Sequence, residues 1–255
     1  MWTERQQAAY REDGFLVQRG VIPKDKIPEL RLAADSAMAK NAVNPSDVHV
    51  VREKSGPVRS LFCVHRSIKP FYDLCRSEPI AGPVEQIFGG DAYVFHSKLN
   101  YKESFEGTVW LWHQDYGYWR YDGVSNRLSS ALVMLGPNTR ENGCLLLVKG
   151  SHRWGVLDHY SDEVTTSYKQ WCIVPEELRE HIKDEAMITP IEGEAGDVCF
   201  FDCQIVHGSN HNFSPANRYS LIYAFAAIDN VPTGVDNPRP DWVVARQFES
   251  IIDRD

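Results

Sequence analysis

Apolar and polar positions along the chain fall into two regimes that meet near residue 90. Glu4 to Asp13 has the spacing of a short amphipathic helix, closed by Gly14 and followed by the extended run Phe15-Leu16-Val17. From Lys24 to about Lys40, Ile27, Leu30, Ala33, Ala34, Ala37 and Met38 recur at helical spacing. The polar stretch Asn41 to Pro57 predicts a loop, with the character of a lid. Lys69 to Arg76 and Ile80 to Phe88 predict two more short helices, the second stopped at Gly89-Gly90.

Beyond that point the period changes to two. In Ala92 to Lys102, Tyr93, Phe95, Ser97 and Leu99 alternate with Val94, His96, Lys98 and Asn100. Thr108 to Asp115, Ser129 to Leu135, Cys144 to Val148, Asp197 to Phe201 and Tyr219 to Ile228 are further strand-like runs. Turn clusters such as Gly136-Pro137-Asn138 and Glu194-Ala195-Gly196 bound many of them, and Tyr160 to Lys183 reads as an insertion, part loop and part helix. With neither an internal repeat nor a Gly/Ser/Pro linker, residues 1–255 read as one domain. Its helical part is about 1–90 and its β core about 91–230, which predicts a mainly β fold, a two-sheet sandwich with flanking helices.

Composition narrows the function classes. At 43% hydrophobic and 24% charged, 255 residues can bury a sizeable core. Lys plus Arg (27) against Asp plus Glu (35) gives −8 and no basic cluster, which argues against nucleic-acid and acidic-membrane partners. The chain is polar from its third residue, and no apolar run approaches the roughly 18 residues of a membrane span, so a cytoplasmic location is expected. Six cysteines without CxxC pairs read as reduced thiols. Cys199 and Cys203 fit small apolar residues in and just after a buried strand.

Candidate chemistry concentrates in Trp110-Leu-Trp-His113-Gln-Asp115-Tyr-Gly-Tyr-Trp119. In an extended run, His113 and Asp115 point to one face. A distant second histidine would complete a 2-His-1-carboxylate triad with open coordination positions. His207 directly follows the apolar run Cys199 to Val206 and is the stronger candidate; His211 lies in a polar Asn210-His-Asn212 loop facing solvent. Arg218 and Ser220 share one face of the next strand, a guanidinium and a hydroxyl suited to a carboxylate. Trp110 and Trp112 alternate against His113 and read as core; His152 in Gly150-Ser-His152 reads as a structural turn.

These residues resemble the metal and 2-oxoglutarate elements of the phytanoyl-CoA dioxygenase family of Fe(II)/2-oxoglutarate oxygenases. The likeness covers most of the chain and is greatest to the ectoine hydroxylase subgroup. It is carried in order by Arg59-Ser-Leu-Phe, His96-Ser-Lys-Leu-Asn-Tyr-Lys102, Trp112-His-Gln-Asp-Tyr, Asn142-Gly and Gly150-Ser-His. The resemblance implies a double-stranded β-helix (jelly-roll, cupin-like) core in a soluble monomer or homodimer. It also implies Fe(II), O2 and 2-oxoglutarate, the last oxidised to succinate and CO2. In that pattern His113, Asp115 and His207 bind iron and are catalytic, Arg218 pairs with the distal carboxylate of 2-oxoglutarate, and Lys102, Asn100 and Ser220 assist.

The chain departs from the subgroup where the latter's residues face substrate. It has Tyr116-Gly-Tyr-Trp119-Arg120 after the HxD pair, and His96 where the subgroup carries glutamine. His96, Tyr116, Trp119 and Arg120 are therefore the expected substrate contacts, with Arg120 suited to a carboxylate, and the chemistry is expected to carry over while the substrate changes. Asp115 favours hydroxylation over halogenation, since related halogenases replace the carboxylate with a small residue. The leading expectation is hydroxylation of an unactivated C–H bond in a small polar metabolite, an amino acid or its derivative. Tailoring of a larger natural-product scaffold, by hydroxylation, desaturation or cyclisation, and a cupin-like metal protein that does not use 2-oxoglutarate are the alternatives.

Overall fold

The computed structural model describes residues 1–42, 49–166 and 169–252. Helix α1 (Glu4–Asp13) begins in a capping box between Thr3 and Gln6 and ends at Gly14, whose φ of 81° is the left-handed turn that sends the chain into β1 (Phe15–Gln18). Helix α2 (Ile27–Ala42) buries Leu30, Ala34 and Met38. After β2 (Val50–Arg52) and β3 (Val58–Phe62) come three short helices, α3 (Val64–Ser67), α4 (Lys69–Arg76) and α5 (Glu78–Phe88).

The β core follows: β4 (Ala92–Lys102), β5 (Trp110–His113), a short helix α6 (Asp115–Trp119), β6 (Leu128–Met134) and β7 (Leu145–Val148). Next are the hairpin β8 (His159–Asp162) and β9 (Gln170–Ile173), helix α7 (Pro175–His181), and β10 (Ile188–Ile191), β11 (Val198–Asp202), β12 (His207–Ser209) and β13 (Arg218–Ala227). The strands form a seven-stranded sheet, β1-β11-β6-β13-β4-β3-β2, facing a four-stranded sheet, β10-β7-β12-β5, with neighbours antiparallel throughout. This is the double-stranded β-helix, with helices packed outside the larger sheet.

That larger sheet is buried on both faces, and the period of two sorts its side chains. Val133, Phe200, Leu221 and Tyr223 meet Leu30, Phe71, Leu74 and Ile80 of the helical layer. Their neighbours Leu132, Met134, Cys199, Phe201 and Ile222 turn inward against Leu145 and Leu147 of the small sheet. The inward face carries the site: β13 and β4 pair Arg218 with Lys102, Ser220 with Asn100, Ile222 with Lys98 and Ala224 with His96.

Several expectations need correction. Asn41 to Pro57 is not loop throughout, because Val50–Arg52 pairs with β3; residues 43–48, the centre of the expected lid, lie outside the described residues. The Tyr160 to Lys183 insertion contains the β8–β9 hairpin as well as α7. The strand expected over Thr108 to Asp115 ends at His113, and Asp115 opens α6. Cys199 and Cys203 are buried and free, as are Cys75, Cys144 and Cys172.

Candidate active site

Neighbouring strands β5 and β12 place His207 opposite His113, with ring centroids 4.0 Å apart. Gln114 keeps the chain extended for one more residue, and Asp115 follows as the first residue of α6. One ligand atom from each of His113, Asp115 and His207 lies within 4.8 Å of the others, and all three residues are buried. Both Nε2 atoms are 4.0 Å from Asp115 Oδ1.

Each ring is oriented the same way. His113 Nδ1 donates to the Leu111 carbonyl at 2.7 Å and His207 Nδ1 to the Ile205 carbonyl at 2.9 Å. A carbonyl only accepts, so Nδ1 carries the proton and Nε2 keeps its lone pair toward Asp115. Burial, and then the second imidazole, hold His113 well below the usual histidine pKa; burial also lowers His207. Two neutral imidazoles and a carboxylate suit Fe(II).

Gln114, fully buried, staples the turn between His113 and Asp115. Its amide nitrogen donates to the carbonyls of Gly155 (2.7 Å) and Gln204 (2.6 Å), its amide oxygen accepts from Leu157 N–H (2.9 Å), and its backbone N–H donates to His159 Nε2 (3.3 Å). A bulge on β5 accompanies it: His113 pairs with His207 but Trp110 with Ser209, three residues against two. The bulge turns Trp110 toward the site, against the expectation that it is core, while Trp112 does pack into the Val148–Leu157–Val206 cluster. Gly208 permits the bulge, because a Cβ there would lie 2.9 Å from the Trp110 carbonyl oxygen.

Two cavities meet at the triad and share Lys98, Trp110, His113 and Asp115. The first runs between the sheets past Asn100, His207, Ser209, Arg218 and Ser220 over a floor that includes Leu132 and Phe201. Arg218 is buried and donates through Nη1 to the Gly143 carbonyl. Its Nε, with Ser220 Oγ and Ser209 Oγ, is buried without a hydrogen-bond partner among the described residues. Burial lowers the Arg218 pKa to about 10, which leaves it charged at neutral pH. Unpaired buried donors are costly, and here they converge beside a triad, a cradle that fits the carboxylate of a chelating co-substrate.

Asn100 lines this cavity and accepts from Ser60 Oγ at 2.7 Å. Lys102 does not line it. Its ammonium, across the ladder from Arg218, donates to the carbonyls of Thr108 (2.8 Å) and Asn210. Burial, then Arg218 and Arg59, hold its pKa well below the usual lysine value.

The second cavity is walled by Phe62, His96, Tyr118, Trp119, Arg239 and Val243. Of the four expected substrate contacts, His96 and Trp119 line it. Tyr116 and Arg120 do not: Tyr116 donates to the Val124 carbonyl at 3.1 Å and packs near Trp119, and Arg120 lies over the Tyr121 ring. The cause is the helix. Asp115, Tyr118 and Trp119 stand at i, i+3 and i+4 and share a face, while Tyr116 and Arg120 fall off it.

Lys98, Gln114, Ser209, Tyr118 and Arg239 complete the site. Lys98 shared the alternation of His96 and Asn100 and was visible in the pattern; its ammonium lies 5.4 Å from the Trp110 ring centroid. Arg239 had no periodic signal. It pairs with buried Asp122 through Nε (2.8 Å) and Nη2, leaving Nη1 without a hydrogen bond among the described residues.

A double-stranded β-helix that holds two histidines and a carboxylate beside an arginine–serine cradle defines the non-haem iron, 2-oxo-acid-dependent oxygenases. The chain belongs to the phytanoyl-CoA dioxygenase family, whose model matches residues 10–220. It is similar to the ectoine dioxygenase of Sphingopyxis alaskensis, 33% identical over 259 residues that cover 96% of this chain and 83% of that protein. The ectoine dioxygenase of Halomonas elongata is 33% identical over 255 residues, covering 94% of this chain and 76% of that protein. The solved structure of EctD from S. alaskensis with 2-oxoglutarate and 5-hydroxyectoine superposes with a TM-score of 0.83 at 30% identity, covering 96% of this chain and 84% of that one. The epimerase SnoN from nogalamycin biosynthesis shares the fold, with a TM-score of 0.70 at 20% identity over 96% of this chain and 95% of that one. The protein is a non-haem Fe(II)/2-oxoglutarate-dependent dioxygenase acting on a small molecule. Among the described residues no helix is long and apolar enough to cross a membrane.

Proposed function

We propose that this dioxygenase hydroxylates an unactivated C–H bond of an amino acid or amino-acid-derived zwitterion, with succinate and CO2 as co-products. The observation that carries the reading is the set of unpaired buried donors, Arg218 Nε, Ser220 Oγ and Ser209 Oγ, in one cavity with His113, Asp115 and His207. His113 and His207, through Nε2, and Asp115, through its carboxylate, would hold Fe(II). With 2-oxoglutarate and O2, the iron supplies the oxidising power for C–H hydroxylation.

The side chains do the positioning. Arg218 and Ser220 take the distal carboxylate of 2-oxoglutarate, with Asn100 and Ser209 beside them. Lys102 braces the Thr108 and Asn210 carbonyls next to Arg218. Trp110, Leu132 and Phe201 keep water from the triad. In the second cavity, Arg239 Nη1 and the Lys98 ammonium offer donors to an anionic group, and Phe62, Tyr118 and Trp119 enclose a small apolar body.

Ectoine, on which the named relatives act, is of this chemical class. The changes at His96 and around Trp119 favour a different member of it. We take residues 1–255 to work as one domain, a monomer or homodimer in the cytoplasm, without nucleic-acid or membrane partners. The test is succinate release across a panel of amino acids and their cyclic derivatives. Stimulation by carboxylate-bearing compounds, with KM raised at least tenfold in Arg239→Ala, is expected; stimulation only by uncharged or large apolar compounds would overturn the substrate class.

A further inference from the structure

His96 lines the second cavity, 5% exposed, with its ring 5.4 Å from that of Phe62 and 6.4 Å from that of Trp119. Its Nδ1 lies 2.8 Å from the Val243 carbonyl oxygen, so Nδ1 carries a proton. The other nitrogen, Nε2, has no hydrogen-bond partner among the described residues. A second proton on the ring is opposed by its surroundings. Burial and the neighbouring Lys98 and Arg239 cations outweigh the Val243 carbonyl and Asp115, and hold the pKa at about 3. Nε2 is thus a lone pair in the wall of a cavity that also carries the Lys98 and Arg239 donors.

We propose that His96 fixes the polarity of the substrate: the molecule oxidised presents an N–H, ammonium or O–H hydrogen to His96 Nε2. This rests on the function proposed above and narrows it. Amines, amino acids and imino acids with a free N–H at that position are accepted, while quaternary betaines, ethers and esters there are refused. A glutamine at residue 96 would turn its amide to donate or accept; a histidine whose Nδ1 is committed to Val243 cannot. A site built around one hydrogen bond discriminates strongly against a partner that cannot make it, because a buried group is then left unpaired.

The first arm of the test needs no known substrate. Nitrogen-15 spectra of histidine-labelled protein, loaded with Zn(II) and 2-oxoglutarate, report the His96 tautomer, with His96→Gln assigning the resonances. Protonation at Nδ1 alone across pH 6–8 is expected; an Nε2–H tautomer or an imidazolium at pH 7 would overturn the proposal. In the second arm, pipecolate and tetrahydropyran-2-carboxylate, matched rings with N–H or O, are titrated into the same complex. Wild-type protein should favour pipecolate by about 10²-fold or more and His96→Gln by less than tenfold. Equal dissociation constants in the wild type would also overturn it. The oxygenase reading is checked separately, by the visible charge-transfer band of wild-type Fe(II) protein with 2-oxoglutarate. Loss of that band sinks the parent reading, whereas a band with Nε2 protonated sinks this proposal alone.

Discussion

His207 sits directly across the β5–β12 ladder from His113, and each ring commits its Nδ1 hydrogen to the carbonyl two residues before it. Two neutral Nε2 atoms thereby face Asp115. A preformed site of this kind binds metal in the native state and not in the unfolded chain, so metal should stabilise the fold. Mn(II), a redox-silent probe, is expected to add about 2.7 kcal/mol at a hundredfold excess over its Kd, read as a rise in Tm. Asp115→Ala should abolish the rise. An equal rise in the variant would place the metal elsewhere.

Gln114 connects the triad to the loops beneath it. Replacing it with alanine leaves the Gly155 and Gln204 carbonyls and the Leu157 N–H without their partner. The protein should remain folded but lose about 1–3 kcal/mol. Its Mn(II) affinity should fall 10- to 100-fold, the usual effect of removing a group that orients metal ligands. Calorimetric titration measures both proteins; an unchanged Kd would show that the HxD turn holds its shape without the staple.

Acid sensitivity follows from two buried histidines. His65, hydrogen-bonded to Ser97 Oγ at 2.6 Å, and His96 are each held at a pKa of about 3, chiefly by burial. Unfolded, both titrate near 6.5. Between these values the unfolded chain takes up protons that the folded one refuses. The stability from the neutral rings is complete above pH 6.5 and declines as pH falls toward 3, by about 1.4 kcal/mol per pH unit for each ring. Urea midpoints from pH 7 to 4 should show this slope and His65→Asn should flatten it; a pH-independent midpoint would contradict it.

What could be read from the sequence depended on how long each local signal ran. Glu4 to Asp13, Lys69 to Arg76 and Ala92 to Lys102 were legible because cap residues or sustained periods mark them. His113, His207, Arg218 and Ser220 were legible because strand alternation and the apolar run before His207 set their direction. The three residues each of β2 and β12 are too few for a period to show. The five-residue α6 was hidden inside a run of aromatics with no helical period of its own; Tyr116 and Arg120 were named only because the chain departs from the related subgroup there, and the helix turns them away from the cavity. Trp110 was misplaced by a bulge, a feature of pairing between strands that no single strand records. Arg239 owes its position to its tertiary ion pair with Asp122 rather than to any pattern in its own segment.

The central claim is that Arg218 and the triad together hold 2-oxoglutarate on Fe(II). Anaerobic titration of the Fe(II)-loaded protein with 2-oxoglutarate, followed by its visible charge-transfer band, tests this directly. The band should saturate in the wild type, disappear in Asp115→Ala, and require at least tenfold more 2-oxoglutarate in Arg218→Ala. Folded, iron-loaded wild-type protein that develops no band would contradict the account.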